Sequence, residues 1–158
     1  MIEMATRVGA NVVPIRAQWG EPFPEELLEK ELKKHPDVKL VTAIHAETST
    51  GVCQPLEDIS KLTKQYGAML MVDAVTSLGG TDLDVDKLSI DYVYSATQKC
   101  LGAPPGLSPV AISDEAMATI KSRKTKPFSW YLDLSLIADY WNEKRIYHHT
   151  TPVSMMFG

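Results

Sequence analysis

Three short segments of this 158-residue chain carry residue types that can do chemistry. Asp73 follows the apolar run Ala68 to Val72, which places an acid at the end of a buried stretch. A carboxylate there must find a partner or give up its charge. Lys99 closes Ser95-Ala96-Thr97-Gln98-Lys99, a small and hydroxyl-rich stretch in which packing has no need of a lysine. An amine close to a cation or in an apolar pocket becomes a nucleophile for carbonyl groups. Thr48-Ser49-Thr50-Gly51 adds a cluster of hydroxyls. Each residue also has a plain alternative: Asp73 as a cap or turn residue, Lys99 as an exposed loop lysine. As a pair they meet two demands of a pyridoxal phosphate (PLP) enzyme, a lysine for the aldehyde and an acid for the pyridine nitrogen. Spacing alone leaves that as one reading among several.

The surrounding pattern supplies elements able to position such residues. Pro24 to Lys34 reads as a helix, with Leu27, Leu28 and Leu32 on one side. Leu56 to Tyr66 reads as another, stopped by Gly67. Asp114 to Ser122 and Leu134 to Glu143 are further predicted helices. Ala10 to Ile15, Val38 to Ile44, Ala68 to Val72, Ile90 to Tyr94 and Pro109 to Ile112 read as strands. Strands alternating with helices predict an α/β fold with a mostly parallel sheet flanked by helices. In such sheets ligands bind beyond the carboxyl ends of the strands, where all three segments fall. The ends read as interrupted elements. Ile2, Ala5 and Val8 follow one helix face up to Gly9 with no cap before them, and Thr151-Pro152 opens an apolar run to Phe157.

Composition narrows the class. Hydrophobic residues make up 44% and charged residues 23%, which suits one folded domain rather than a disordered chain. A net charge of -4 and a pI of about 5.5 argue against nucleic acid as a partner. No stretch reaches transmembrane length. Cys53 and Cys100 form no CxxC pattern, which predicts free thiols, with Cys100 as a small buried filler. His148 and His149 are adjacent and would point opposite ways, so no metal site is predicted. Gly79-Gly80 reads as a turn, because the rest of a dinucleotide fingerprint is missing. The basic run Lys121 to Lys126 reads as a solvated helix end.

The segments His45-Ala46-Glu47-Thr48-Ser49-Thr50-Gly51-Val52, Val72 to Gly80 and Ser95 to Lys99 occur in this order. They resemble the alanine–glyoxylate (serine–pyruvate) aminotransferases of the type I PLP fold. Cysteine desulfurases share them more loosely. Ser122-Arg123-Lys124-Thr125-Lys126-Pro127-Phe128 and Tyr147-His148-His149-Thr150 are closer to the alanine–glyoxylate branch, which includes insect 3-hydroxykynurenine transaminases. The resemblance covers essentially the whole chain and implies that residues 1–158 are an incomplete PLP-binding large domain. It implies that Lys99 is the catalytic Schiff-base lysine and moves a proton at the substrate's α-carbon. By the same resemblance Asp73 pairs with the ring nitrogen, Val75 packs on a ring face, Thr48 lies near the ring oxygen and Gln98 lies by the phosphate. Tyr147 and Thr150 resemble residues that reach the phosphate in a neighbouring subunit, which implies a homodimer with shared sites.

The implied reaction moves an amino group from alanine or serine to glyoxylate or pyruvate. Alternatives are a 3-hydroxykynurenine transaminase, a truncated non-catalytic relative and, from fold pattern alone, a nicotinamide-binding domain. The family's phosphate-binding Ser-Gly-His loop, its ring-stacking aromatic and its carboxylate-clamping arginine have no counterpart among these residues. Weak PLP binding and poor transamination are therefore expected of the chain alone. A peroxisomal location is implied by the family, with cytoplasm or mitochondrion as alternatives. The last residues, Met155-Met156-Phe157-Gly158, are no Ser-Lys-Leu signal.

Overall fold

A leucine pair one helical turn apart starts the core. Leu28 and Leu32 are the buried residues of α2 (Glu25–Lys34), which follows the short α1 (Ile2–Arg7). The computed structural model describes residues 1–158. After α2 come β1 (Leu40–Ile44), α3 (Glu57–Gln65), β2 (Met69–Asp73) and β3 (Tyr92–Tyr94). Then follow β4 (Val110–Ile112), α4 (Asp114–Lys121), α5 (Leu134–Trp141) and α6 (Val153–Met156). Gly67, with φ of +67°, ends the α3 segment in the left-handed conformation that glycine reaches without a Cβ clash.

The strands form one sheet in the order β1-β2-β3-β4. β1 runs parallel to β2, with Leu40 beside Met69 and Ile44 beside Asp73. β3 runs parallel to β2, with Asp73 beside Tyr94. β4 closes the row antiparallel to β3, and β1 pairs only with β2. The register levels Ile44, Asp73 and Tyr94, so the loops after β1, β2 and β3 leave the sheet side by side.

Leu28, Leu32, Ala43, Leu56, Ile59, Leu70, Val72, Ala74, Ile90 and Val93 form the buried core. It joins α2 and α3 to the sheet. Leu70 and Val72 are fully buried, and each contributes about 1.5–3 kcal/mol by leaving water. At the opposite end of the strands, Asp91 is a buried carboxylate. It accepts the Leu70 amide at 2.8 Å, the Ser113 hydroxyl at 3.0 Å and the Lys64 ammonium at 3.3 Å. Ser113 in turn caps α4 by accepting the Ala116 amide at 3.1 Å.

The structure corrects parts of the sequence reading. Ala10 to Ile15 is not a strand. Pro14 has no N–H for a ladder, and no neighbouring strand pairs with the segment. β1 and β3 each begin two residues later than expected, at Leu40 and Tyr92. The left-handed Ser89, at φ +47°, and the Ile90 amide bonded back to Val85 keep the approach to β3 a turn. No helix is long and apolar enough to cross a membrane.

Candidate functional site

Backbone bonds carry the ladder one residue past the strands. The His45 amide donates to the Asp73 carbonyl at 2.9 Å, and the Ala74 amide donates to the Tyr94 carbonyl at 2.9 Å. Residues at the mouths of the three loops are thereby fixed before any side chain acts.

Asp73 is half-buried at the end of β2. Its Oδ1 accepts the Val75 amide at 3.0 Å, an Asx-type turn that fixes the start of the loop. Its Oδ2 accepts the Tyr94 hydroxyl at 2.6 Å. Burial, followed by the hydrogen bond and charge of Asp73, holds the Tyr94 phenol far above the ordinary tyrosine range, so it stays a donor. Val75 is half-buried beside this turn.

Thr48, in the loop after β1, meets Thr76, in the loop after β2, through their hydroxyls at 2.8 Å. Glu47 accepts both the amide and the hydroxyl of Ser49, at 2.9 and 2.7 Å, which tightens the turn around Thr48 and lowers the Glu47 carboxyl from its usual value. Lys99 lies in the loop after β3 and is exposed. Its carbonyl accepts the Gly102 amide at 2.9 Å, and its ammonium takes part in none of the chain's ion pairs. Gln98 beside it is also exposed.

Cys100 is exposed rather than the buried filler expected, because the loop around it lies on the surface. Its thiol donates to the Thr76 carbonyl at 2.8 Å. Thr76 therefore links the Thr48 loop to the Lys99 loop. The contact is close: a Cβ on Gly80 would fall 2.7 Å from the Cys100 sulfur.

His45 is buried at the end of β1, with Nδ1 2.9 Å from the Ser77 hydroxyl and Nε2 3.6 Å from the Cys53 sulfur. Burial holds its imidazole below the usual histidine value, against the opposing charge of Glu57.

Tyr147 and Thr150 stand apart. Both are exposed, and the tyrosine hydroxyl lies 3.0 Å from the Thr150 hydroxyl. No hydrogen bond joins them to Thr48, Asp73 or Lys99. His148 and His149 do not point opposite ways as expected: their rings meet edge to face at 4.8 Å between centres, because both pack into one aromatic cluster, His148 on Trp130 at 4.1 Å and His149 on Tyr131 at 4.5 Å.

Tyr94 and Thr76 were not singled out in the sequence. For Tyr94 the usable signal was its place at the end of the strand next to Asp73. The Thr76 contact needs a loop geometry that the sequence pattern does not contain.

The family model for class-V aminotransferases matches residues 1–149. The chain is 44% identical, over 99% of its length, to an alanine–glyoxylate aminotransferase of Oryctolagus cuniculus, of which it covers 40%. It is 35% identical to the (S)-ureidoglycine–glyoxylate transaminase of Bacillus subtilis, matching over 100% of its own length and 42% of that protein. Its fold superposes with a TM-score of 0.94 on the crystal structure of an alanine–glyoxylate aminotransferase from Nostoc sp.. That match has 43% identity and covers 99% of this chain and 41% of the other. The chain thus spans about two fifths of the length of the curated relatives it matches. Matched by the family model over nearly its whole length and by these relatives in sequence and fold, the chain belongs to the class-V aminotransferase family.

Proposed function

We propose that residues 1–158 form part of the large domain of a PLP-dependent aminotransferase that exchanges an amino group between alanine or serine and glyoxylate or pyruvate. The observation that carries this reading is the half-buried Asp73 carboxylate at the end of β2, held by Val75 and Tyr94, with the unpaired Lys99 amine on a neighbouring loop. The names of the relatives support the choice of glyoxylate.

The donor set suits the cofactor: an acid for a ring nitrogen, a free amine for an aldehyde and a hydroxyl pair for a ring oxygen. When bound, PLP supplies an aldehyde that takes up the amino group and a protonated ring that draws in the electron pair of the substrate's α-carbon. Asp73 holds the proton at the ring nitrogen. Lys99 would hold the cofactor's aldehyde through its Nζ, and its amine would serve to move a proton at the substrate's α-carbon. Val75 would support one face of the ring. Thr48, held by Thr76, would offer a hydroxyl to the ring oxygen. Gln98 would help hold the phosphate. Tyr147 and Thr150, which lie outside the hydrogen-bonded set around Asp73, serve the phosphate of a second subunit in a homodimer. A peroxisomal location goes with this reading through the family alone.

Borohydride reduction of the purified chain with PLP, followed by peptide mass mapping, tests the proposal. A phosphopyridoxyl group should be fixed on Lys99 and be lost in Lys99→Arg. No adduct, or one scattered over surface lysines such as Lys33 and Lys61, would overturn the cofactor reading for this chain and leave the truncated, non-catalytic relative in its place.

A further inference from the structure

Asp73 has a donor on each carboxylate oxygen. The Val75 amide holds Oδ1 at 3.0 Å from within the same loop, and the Tyr94 hydroxyl holds Oδ2 at 2.6 Å from the adjacent strand. Asp73 and Tyr94 are partners in the parallel register of β2 and β3, so the sheet itself sets the distance between them. Rotation of the carboxylate would break one bond or the other. The phenol is half-buried and remains protonated, which makes the donation one-directional. A hydrogen bond donated to a carboxylate favours its charged form.

We propose that Tyr94 is a positioning residue for the acid: its hydroxyl fixes the rotamer of Asp73 and keeps the proton shared with the cofactor on the ring nitrogen rather than on the carboxylate. The proposal rests on the PLP reading given above. It assigns a task to a tyrosine that never needs to touch the cofactor. The side chain acts through one oxygen of its neighbour. The protonated state of the ring therefore depends on a residue in the next strand as well as on the acid.

Two substitutions read the bond from its two ends. Tyr94→Phe keeps the ring and removes the hydroxyl. With ring-¹⁵N-labelled PLP fixed on Lys99 by borohydride, the nitrogen resonance of Tyr94→Phe should lie downfield of the unsubstituted chain, toward unprotonated pyridine. Asp73→Asn is read with no cofactor present. Its Tyr94 phenol should ionise at lower pH than in the unsubstituted chain, as an absorbance change that disappears when Tyr94→Phe is added. A tyrosine that only packs would lower the melting temperature and leave both signals in place. An unmoved nitrogen resonance, or an unmoved phenol ionisation, overturns the proposal. If the unsubstituted chain takes no PLP on Lys99, the cofactor reading fails and this proposal fails with it. An adduct on Lys99 with an unmoved resonance sinks this proposal alone. Should Tyr94→Phe not fold, the phenol measurement on Asp73→Asn decides.

Discussion

Two residue-scale features give predictions that need no cofactor. His45 is buried and its imidazole sits below the usual value of 6.5, so the folded chain resists a proton that the unfolded chain accepts. Stability should therefore be highest above that value, fall as pH drops through it and level off below the folded value. Melting temperatures measured from about pH 7.5 to about pH 5.5 should show this decline, and His45→Gln should remove that part of it. The second feature is the contact between Gly80 and Cys100. A methyl group at Gly80 would press to 2.7 Å from the sulfur but stand 3.3 Å from Cys100 Cβ. Gly80→Ala should cost about 1–3 kcal/mol in denaturant unfolding, and most of that cost should vanish in a Cys100→Ala background. Strict additivity of the two substitutions would show that the sulfur is not what resists.

At the scale of elements, β2 is the strand on which core and site both depend. Leu70 and Val72 are fully buried, and Asp73 is the next residue outward. Leu70→Ala should cost about 2–5 kcal/mol by cavity formation, seen as a lower denaturant midpoint with an unchanged slope. Asp91 fastens the other end of the sheet, where its carboxylate accepts the Leu70 amide and the Ser113 hydroxyl. Asp91→Ala would strand a buried amide at a cost of about 1–3 kcal/mol, whereas Asp91→Asn keeps one acceptor and should cost less. Equal loss in the two variants would remove the hydrogen bonds as the reason.

These elements also show what the sequence could tell. The run Ala68 to Val72 is apolar enough to mark a central strand, and Asp73 ends it, so the position of the acid was legible from local pattern. Ala10 to Ile15 looks similar, though Asn11 and Pro14 interrupt it, but has no strand to pair with, because pairing is decided by the rest of the chain. The bond between Tyr94 and Asp73 was hidden for the same reason. Each residue could be placed at a strand end, but which strand ends lie level is a matter of register. The surface position of Cys100 follows from the path of a loop, which residue types alone do not specify.

At the scale of the whole molecule, a second copy is part of the proposed function, and the surface offers material for it. Phe128 is wholly exposed, while Trp130 and Tyr147 are 61% and 67% exposed. Sedimentation should show association that rises with concentration, and Phe128→Glu with Trp130→Glu should weaken it. Sedimentation as a monomer at all concentrations would count against the shared-site reading. The unpaired side of β1 has a different consequence. Leu40-Val41-Thr42-Ala43-Ile44 is uncharged, lacks proline and pairs only with β2. Its outer row of amides and carbonyls is a template on which any extended peptide can be laid down. Laid on the outer edge of β4 in another copy, it leaves a fresh β1 edge free at the far end, so the chain in concentrated solution should tend toward fibrous deposits rather than closed particles. A lysine in place of the exposed Thr42 should suppress such deposits, scored by thioflavin fluorescence, while leaving the melting temperature nearly unchanged.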